Sequence, residues 1–293
     1  MYYEQEHASV RIVDTHTNIV QIEKNWQVIF EDKTTSLELK ADHSALIMKQ
    51  IWDFSQTVDI DDVKEILDRQ ITCNMAIANE GIHNSYGANI GHVILNMDSD
   101  CVKTRAKAYA AAGSDARMNG CELPVVINSG SGNQGITCCV PVVVYAKELD
   151  CTQEQLYRAL VLSNLTAIYI KTGIGTLSAF CGAVSAGAAA GAGIAYLHNG
   201  TYKEIQHTIV NALAILSGTI CDGAKASCAA KIASSVDAGI MGYYMYKNKQ
   251  QFYAGDGIVA HSVDETIQNI GTLGSQGMLQ TNDKIIEMMI SCD

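Results

Sequence analysis

Proline is nearly absent: Pro124 and Pro141 are the only two in 293 residues, so little in the chain interrupts long helices. Charge is scarce as well, with 17% charged against 48% hydrophobic residues. That balance excludes disorder and implies extensive helix burial. The charge present has the wrong sign for nucleic acid or an anionic membrane. Twenty basic residues face 31 acidic ones, a net charge of −11, and no Lys/Arg cluster offsets it. The first residues, MYYEQEHASVRIV, lack the basic start and apolar core of a signal peptide, which predicts a cytoplasmic protein. Ten cysteines in an unexported chain are then reduced thiols or metal ligands, not a disulfide framework. Repeats and low-complexity linkers are also missing, and the length suits one large domain or two smaller ones.

What is present divides near residue 40. Val10 and Ile12 alternate with polar neighbours, as do Val20 and Ile22. Trp26, Val28 and Phe30 continue the pattern past a turn at Lys24-Asn25. This predicts a small antiparallel meander, marginal unless something covers its apolar face. Beyond it the period becomes helical. Asp61 is expected to open a helix with Val63, Ile66 and Leu67 on one face. Thr152/Gln155, Thr201/Glu204 and Ser262/Glu265 read as capping boxes ahead of further helices. Residues 172–197 carry no charge over a membrane-spanning length, but Ala, Gly and Ser contribute little transfer energy. They read as a buried central helix of a soluble protein. The expected fold class is α+β: a region at 1–40 holding the sheet, then a mainly helical domain at 41–293.

Gly130, Gly132 and Gly135 in NSGSGNQGIT (128–137) spell G-x-G-x-x-G, the pattern of a dinucleotide loop. Such a loop must open a helix inside a βαβ unit, with an acidic residue about 20 positions on at a strand end. Ile136, Thr137, Val140 and Pro141 are poor helix residues, and Asp150 precedes a helix cap, so no helix and no NAD are expected. What remains is either a tight turn or a cradle for a small anion, with Asn133 and Gln134 at its tip.

Cys221 and Cys228 frame ICDGAKASC. On an unbroken helix they would stand about 10 Å apart. Asp222-Gly223 predicts a turn instead, which brings Cys228 to the start of the next helix. With Cys181 of LSAFC they form a candidate iron–sulfur set, although C-x6-C is not a strong metal signature and spacing alone favours packing. Cys73, Cys101, Cys121, Cys138, Cys139, Cys151 and Cys292 read as core or surface residues.

SDARMNG (114–120), NSGSGNQGIT, LSAFC (177–181), ICDGAKASC (220–228), HTNIV (16–20) and GIVAHSVDETI (257–267) together resemble the L-cysteine desulfidase family, related to the α chain of iron–sulfur L-serine dehydratases. The resemblance runs over nearly the whole chain. It implies a lyase without pyridoxal phosphate, in which Cys181, Cys221 and Cys228 hold a 4Fe–4S cluster with one open iron. L-Cysteine would be converted to pyruvate, ammonia and sulfide; L-serine dehydration is the alternative within the class. Asn128, Ser129, Gly130, Asn133 and Gln134, with Arg117, would bind the amino-acid substrate through its carboxylate. The family's base cysteine, in a Gly-Cys-Thr-Glu-Pro motif of an N-terminal portion, has no counterpart in this sequence. His261 is the substitute candidate. A companion subunit bearing that motif is therefore expected, alongside a possible homo-oligomer; a truncated, non-catalytic cluster-binding remnant is the reading from another class.

Overall fold

The computed structural model describes residues 2–3, 6–12, 18–32, 43–98, 101–175 and 178–291. His16, Thr17 and Leu177 of the quoted motifs, and Cys292, lie outside the described residues. The chain forms two compact units, Met1–Ser44 and Ala45–Asp293.

The first unit is an antiparallel meander of four strands in sequence order: β1 (Tyr2–Tyr3), β2 (Glu6–Ile12), β3 (Ile19–Lys24) and β4 (Gln27–Glu31). The register sets Val10 against Ile22 and Ile22 against Phe30, so three apolar side chains form one cross-strand row. Val10 and Phe30 are 59% and 44% exposed, an unusual state for such a row. The β3–β4 turn falls one residue later than the sequence reading placed it. Asn25 and Trp26 are its central residues, both at positive φ (50° and 66°), the geometry a two-residue hairpin requires. Trp26 therefore caps the turn, where its ring stacks on His7 at 4.4 Å, and does not extend the strand.

The second unit is helical throughout its regular structure, so the fold is α+β. Its helices are α1 (Met48–Thr57), α2 (Ile60–His83), α3 (Ile90–Met97), α4 (Val102–Met118), α5 (Gly132–Glu148), α6 (Gln153–Ile174), α7 (Gly182–Leu197), α8 (Tyr202–Leu216), α9 (Cys228–Lys247), α10 (Val263–Thr272) and α11 (Leu279–Ile290). A π-helical turn, Leu273–Gly277, joins the last two. Of the charge-free stretch 172–197, expected as one helix, only Gly182–Leu197 forms α7, while α6 ends at Ile174 with Gly175 at φ 88°. Residues 183–195 are all buried, and α5, α6, α8 and α9 pack around α7. Small side chains let α7 and α9 cross closely: a Cβ on Gly191 would come within 2.6 Å of the Gly239 carbonyl. Among the described residues no helix is long and apolar enough to cross a membrane.

All three predicted capping boxes are formed, because both halves of the motif act within one turn. Replacing Ser262 with Ala should lower unfolding stability by about 1 kcal/mol in a urea titration, since the Glu265 N–H loses its acceptor. The α2 start differs from expectation. Asp59 caps it by accepting from the Asp61 N–H (3.1 Å), and Ile66 faces outward at 62% exposure.

The larger correction concerns α5. Residues 132–148 are helical despite Pro141, so the glycine loop does open a helix. Ser131 caps it, its Oγ accepting from the Gln134 N–H at 3.4 Å. Ile136, Val140, Val142 and Tyr145 are at most 1% exposed. Four such side chains, at roughly 1.5–3 kcal/mol each, outweigh a proline cost of about 3 kcal/mol. No βαβ unit results, however. The strands of the described residues all belong to the N-terminal sheet, and only an isolated Asn128–Ser131 bridge precedes α5.

Candidate functional site

Four sequence motifs meet where the N-terminal turns of α5, α7 and α9 approach the last turn of α4. The glycine loop begins as a two-residue turn. Asn128 and Ser131 exchange backbone hydrogen bonds (3.1 and 3.0 Å), with Ser129 and Gly130 both at positive φ (48° and 76°). Ser129 tolerates this backbone with local help, its Oγ donating to Asn128 Oδ1 at 2.8 Å. Asn128 Nδ2 donates to Asn164 Oδ1 (3.0 Å) and to the Asn164 carbonyl (3.2 Å). Gln70 and Asn164 then exchange side-chain amide bonds, both 2.8 Å. Asn128 thus fastens the loop to α6, and Ser129 is tied to Asn128.

The tip of the loop points elsewhere. Asn133 Oδ1 accepts from Arg117 Nη1 at 3.3 Å. Gln134 is 6% exposed and lies against the start of α7, where a Cβ on Gly182 would sit 2.6 Å from its Cδ. Its Oε1 has no hydrogen-bond partner among the described residues. A buried acceptor without a donor is costly, and this amide is held against the Gly182 backbone.

Cys181 caps α7 and Cys221 follows the isolated bridge between Phe180 and Ile220. The Cys181 N–H donates to Thr219 O (3.0 Å) and the Cys221 N–H to Ala179 O (2.6 Å), so the two segments are fastened side by side. Their thiols share a hydrogen bond that holds Cys221 down, to about 6, and pushes Cys181 up. Burial raises both, while the Gly223 N–H, Lys231 and Lys171 favour the Cys221 thiolate. Cys228 is the first residue of α9, as the predicted turn at Asp222-Gly223 requires, and Gly223 has φ 92°. Its Sγ contacts the Gly223 carbonyl at 3.6 Å and receives the Lys225 N–H at 3.5 Å.

Lys231 ties the three cysteines together electrostatically. It is ion-paired with Asp222 and acts on Cys181, Cys221 and Cys228 alike. Arg117 lies beside Cys228; burial pulls its guanidinium below its ordinary value and Cys228 opposes that. Lys171, on α6, faces Cys221 and Cys181 and is 7% exposed. Sequence reasoning passed over both lysines. The available signals were Lys231 three residues beyond Cys228 and a single Lys within the apolar run IYIKTGIG.

His261 is exposed, and its N–H donates to Glu265 Oε2 at 3.1 Å at the start of α10. Among the described residues no hydrogen bond joins it to the cysteines. Cys138 and Cys139 are fully buried with thiols pushed up by desolvation, Cys138 to about 12. A cleft of about 830 Å³ between α2 and α6, lined by Asp61, Lys64, Asp68 and Tyr157, contains none of the candidate residues.

The serine dehydratase alpha chain family matches residues 5–287. The chain belongs to this family. Similar proteins include a UPF0597 protein of Desulfitobacterium hafniense, 57% identical over 293 residues, covering 99% of this chain and 68% of the relative. Others occur in Lachnoclostridium phytofermentans (52% identical; 96% and 68% covered) and Finegoldia magna (50% identical; 97% and 68% covered). No solved structure matches.

Serine dehydratases of this family are generally iron–sulfur dependent. Thiols are the donors such a group takes, and two of the three candidates are in mutual contact beside two lysines. Among the described residues no group of three or more His, Cys, Asp or Glu is already arranged around one point. The donor chemistry fits: two thiols are in mutual contact, and the third, Cys228, opens α9 with its Sγ on the Gly223 carbonyl.

Proposed function

We propose that this serine dehydratase α-chain relative is the cysteine-bearing catalytic portion of an iron–sulfur lyase that converts L-cysteine to pyruvate, ammonia and sulfide. The observation that supports the reading is the pair Cys181 and Cys221, fastened side by side at the start of α7 against the tip of the glycine loop, with Cys228 at the start of α9. A 4Fe–4S cluster held by these thiols would supply a Lewis-acidic iron for the β-thiol of the substrate. In β-elimination the Cα–H proton goes to a base, the Cβ–S bond breaks, and its electron pair leaves as sulfide. Aminoacrylate tautomerises to an imine, which water hydrolyses to pyruvate and ammonia.

The residues of this chain bind and orient. Arg117 and the Asn133 side chain face the same space beside Cys228 and suit the substrate carboxylate. The first turn of α5 adds backbone N–H groups at a helix N-terminus, where anions are favoured. Asn128, Ser129 and Gly130 set the shape of the loop. L-Serine dehydration is the second reading, favoured by the description of the matched family.

In an enzyme assembled with its base, Arg117→Lys or Asn133→Ala should lower kcat/KM by about 10–100-fold, the loss expected for a charge-assisted hydrogen bond of roughly 1.5–3 kcal/mol. Iron content should stay unchanged. NAD should give no thermal shift. Unaltered kinetics in both variants, or stabilisation by NAD, would refute this role for the loop.

A further inference from the structure

At the C-terminal ends of α5 and α7, two buried polar atoms sit on rings that touch. Tyr145, on α5, is 1% exposed, and its Oη has no hydrogen-bond partner among the described residues. His198 caps the C-terminal end of α7, and its buried Nε2 is likewise without one. The two rings meet edge to face, with centroids 6.0 Å apart. Tyr243 of α9 closes the other side, its ring stacked on His198 at 5.0 Å. An unpaired polar atom in the interior is costly, and two of them on touching rings are most simply matched by one shared partner.

The surroundings select that partner. Lys247 Nζ lies 6.0 Å from the Tyr243 centroid and 3.4 Å from Glu204 Oε1, so its charge is already balanced. Asp237, which also acts on Tyr145, is paired with Lys103 and Lys107. Burial, helped by Lys247, holds His198 below its ordinary value and keeps the imidazole neutral. A charged guest would therefore meet only a neutral hydroxyl and a neutral ring nitrogen, too little to offset its desolvation. Rings this close leave width for a molecule of one heavy atom. Water has that size, is neutral, and both accepts and donates.

We propose that Tyr145 and His198 form an internal water site, in which one buried water accepts from the Tyr145 hydroxyl and donates to His198 Nε2. The phenol is the donor of the pair and a bare imidazole nitrogen the acceptor, which sets the direction of the bridge. The water ties α5 to α7 at the ends remote from the cysteines; along the 16 residues of α7 the separation from Cys181 is about 24 Å. It thus fastens, at their far ends, the two helices whose first turns carry the glycine loop and Cys181. The site stands independently of the lyase reading.

Crystallography of the full chain should show a water within hydrogen-bond distance of both Tyr145 Oη and His198 Nε2. A direct bond between the two atoms, or no water between them, overturns the proposal. Urea titration near neutral pH reads the strength of the bridge. Tyr145→Phe keeps the ring and should lower the folded-to-unfolded ratio about 5-fold. In a His198→Phe background the same change should cost nothing, because the hydroxyl has already lost its bridge. If His198→Phe fails to fold, His198→Leu is read in its place. A Tyr145→Phe variant at least as stable as the wild type, the result expected when an unpaired hydroxyl is removed, overturns the proposal. So does an equal loss in both backgrounds.

Discussion

Serine at Cys181, Cys221 or Cys228 should each strip the protein of its iron and its brown colour under anaerobic conditions. The hydroxyl of serine is a far weaker ligand for iron than a thiolate, and a cluster held by three side chains has none to spare. Cys181 and Cys221 are fastened side by side by backbone hydrogen bonds, and Cys228 opens α9, the helix that packs on α7. Cys138 and Cys139 belong elsewhere. Cys138 Sγ is engaged by Gly135 O (3.5 Å) and Asn164 Oδ1 (3.4 Å), and burial keeps both thiols protonated. Cys139→Ser and Cys73→Ser should therefore keep full iron content. Equal bleaching in either of them would show that the ligand assignment is wrong.

The 293-residue chain by itself should turn over neither L-cysteine nor L-serine above background. Around the three cysteines the structure places cations and amides: Lys171, Lys231, Arg117, Asn133 and Gln134. The nearby carboxylate, Asp222, is held below its usual range by its ion pair with Lys231. None of these is a free base for a Cα proton. Supplying a polypeptide with the family's Gly-Cys-Thr-Glu-Pro motif should restore pyruvate formation by about 10²–10⁴-fold, the usual contribution of a positioned base. The Val10–Ile22–Phe30 row is the surface we expect such a partner to cover. The match to the Desulfitobacterium relative spans 68% of that protein, so relatives carry further sequence that could play this part. Robust turnover by the chain alone would mean that another residue is the base, and His261→Ala would be the first variant to assay.

Local signals were read well from sequence and distant ones were not. The boxes at Thr152, Thr201 and Ser262 are complete within four residues, so their chemistry is visible in one dimension. The turn that delivers Cys228 to α9 was equally visible in Asp222-Gly223. Helix α5 was missed because the cost of Pro141 is local, while its compensation comes from helices far away in sequence. The same holds for the site. Spacing alone did not single out the three cysteines, and only the resemblance of whole motifs did. Lys171 escaped notice since one lysine in an apolar run usually reaches back to water, and nothing nearby in sequence reveals that this residue is only 7% exposed. Asn128 and Ser129 were grouped with the substrate contacts, yet their bonds run to Asn164 and to each other.

Iron and acid-labile sulfide analysis of the anaerobically purified chain tests the central claim most directly. The account predicts about four of each per chain, as a 4Fe–4S cluster requires, and loss of both in Cys181→Ser, Cys221→Ser and Cys228→Ser. A wild-type chain that binds no iron after anaerobic reconstitution, or one that keeps its full iron when all three cysteines are replaced, would contradict it.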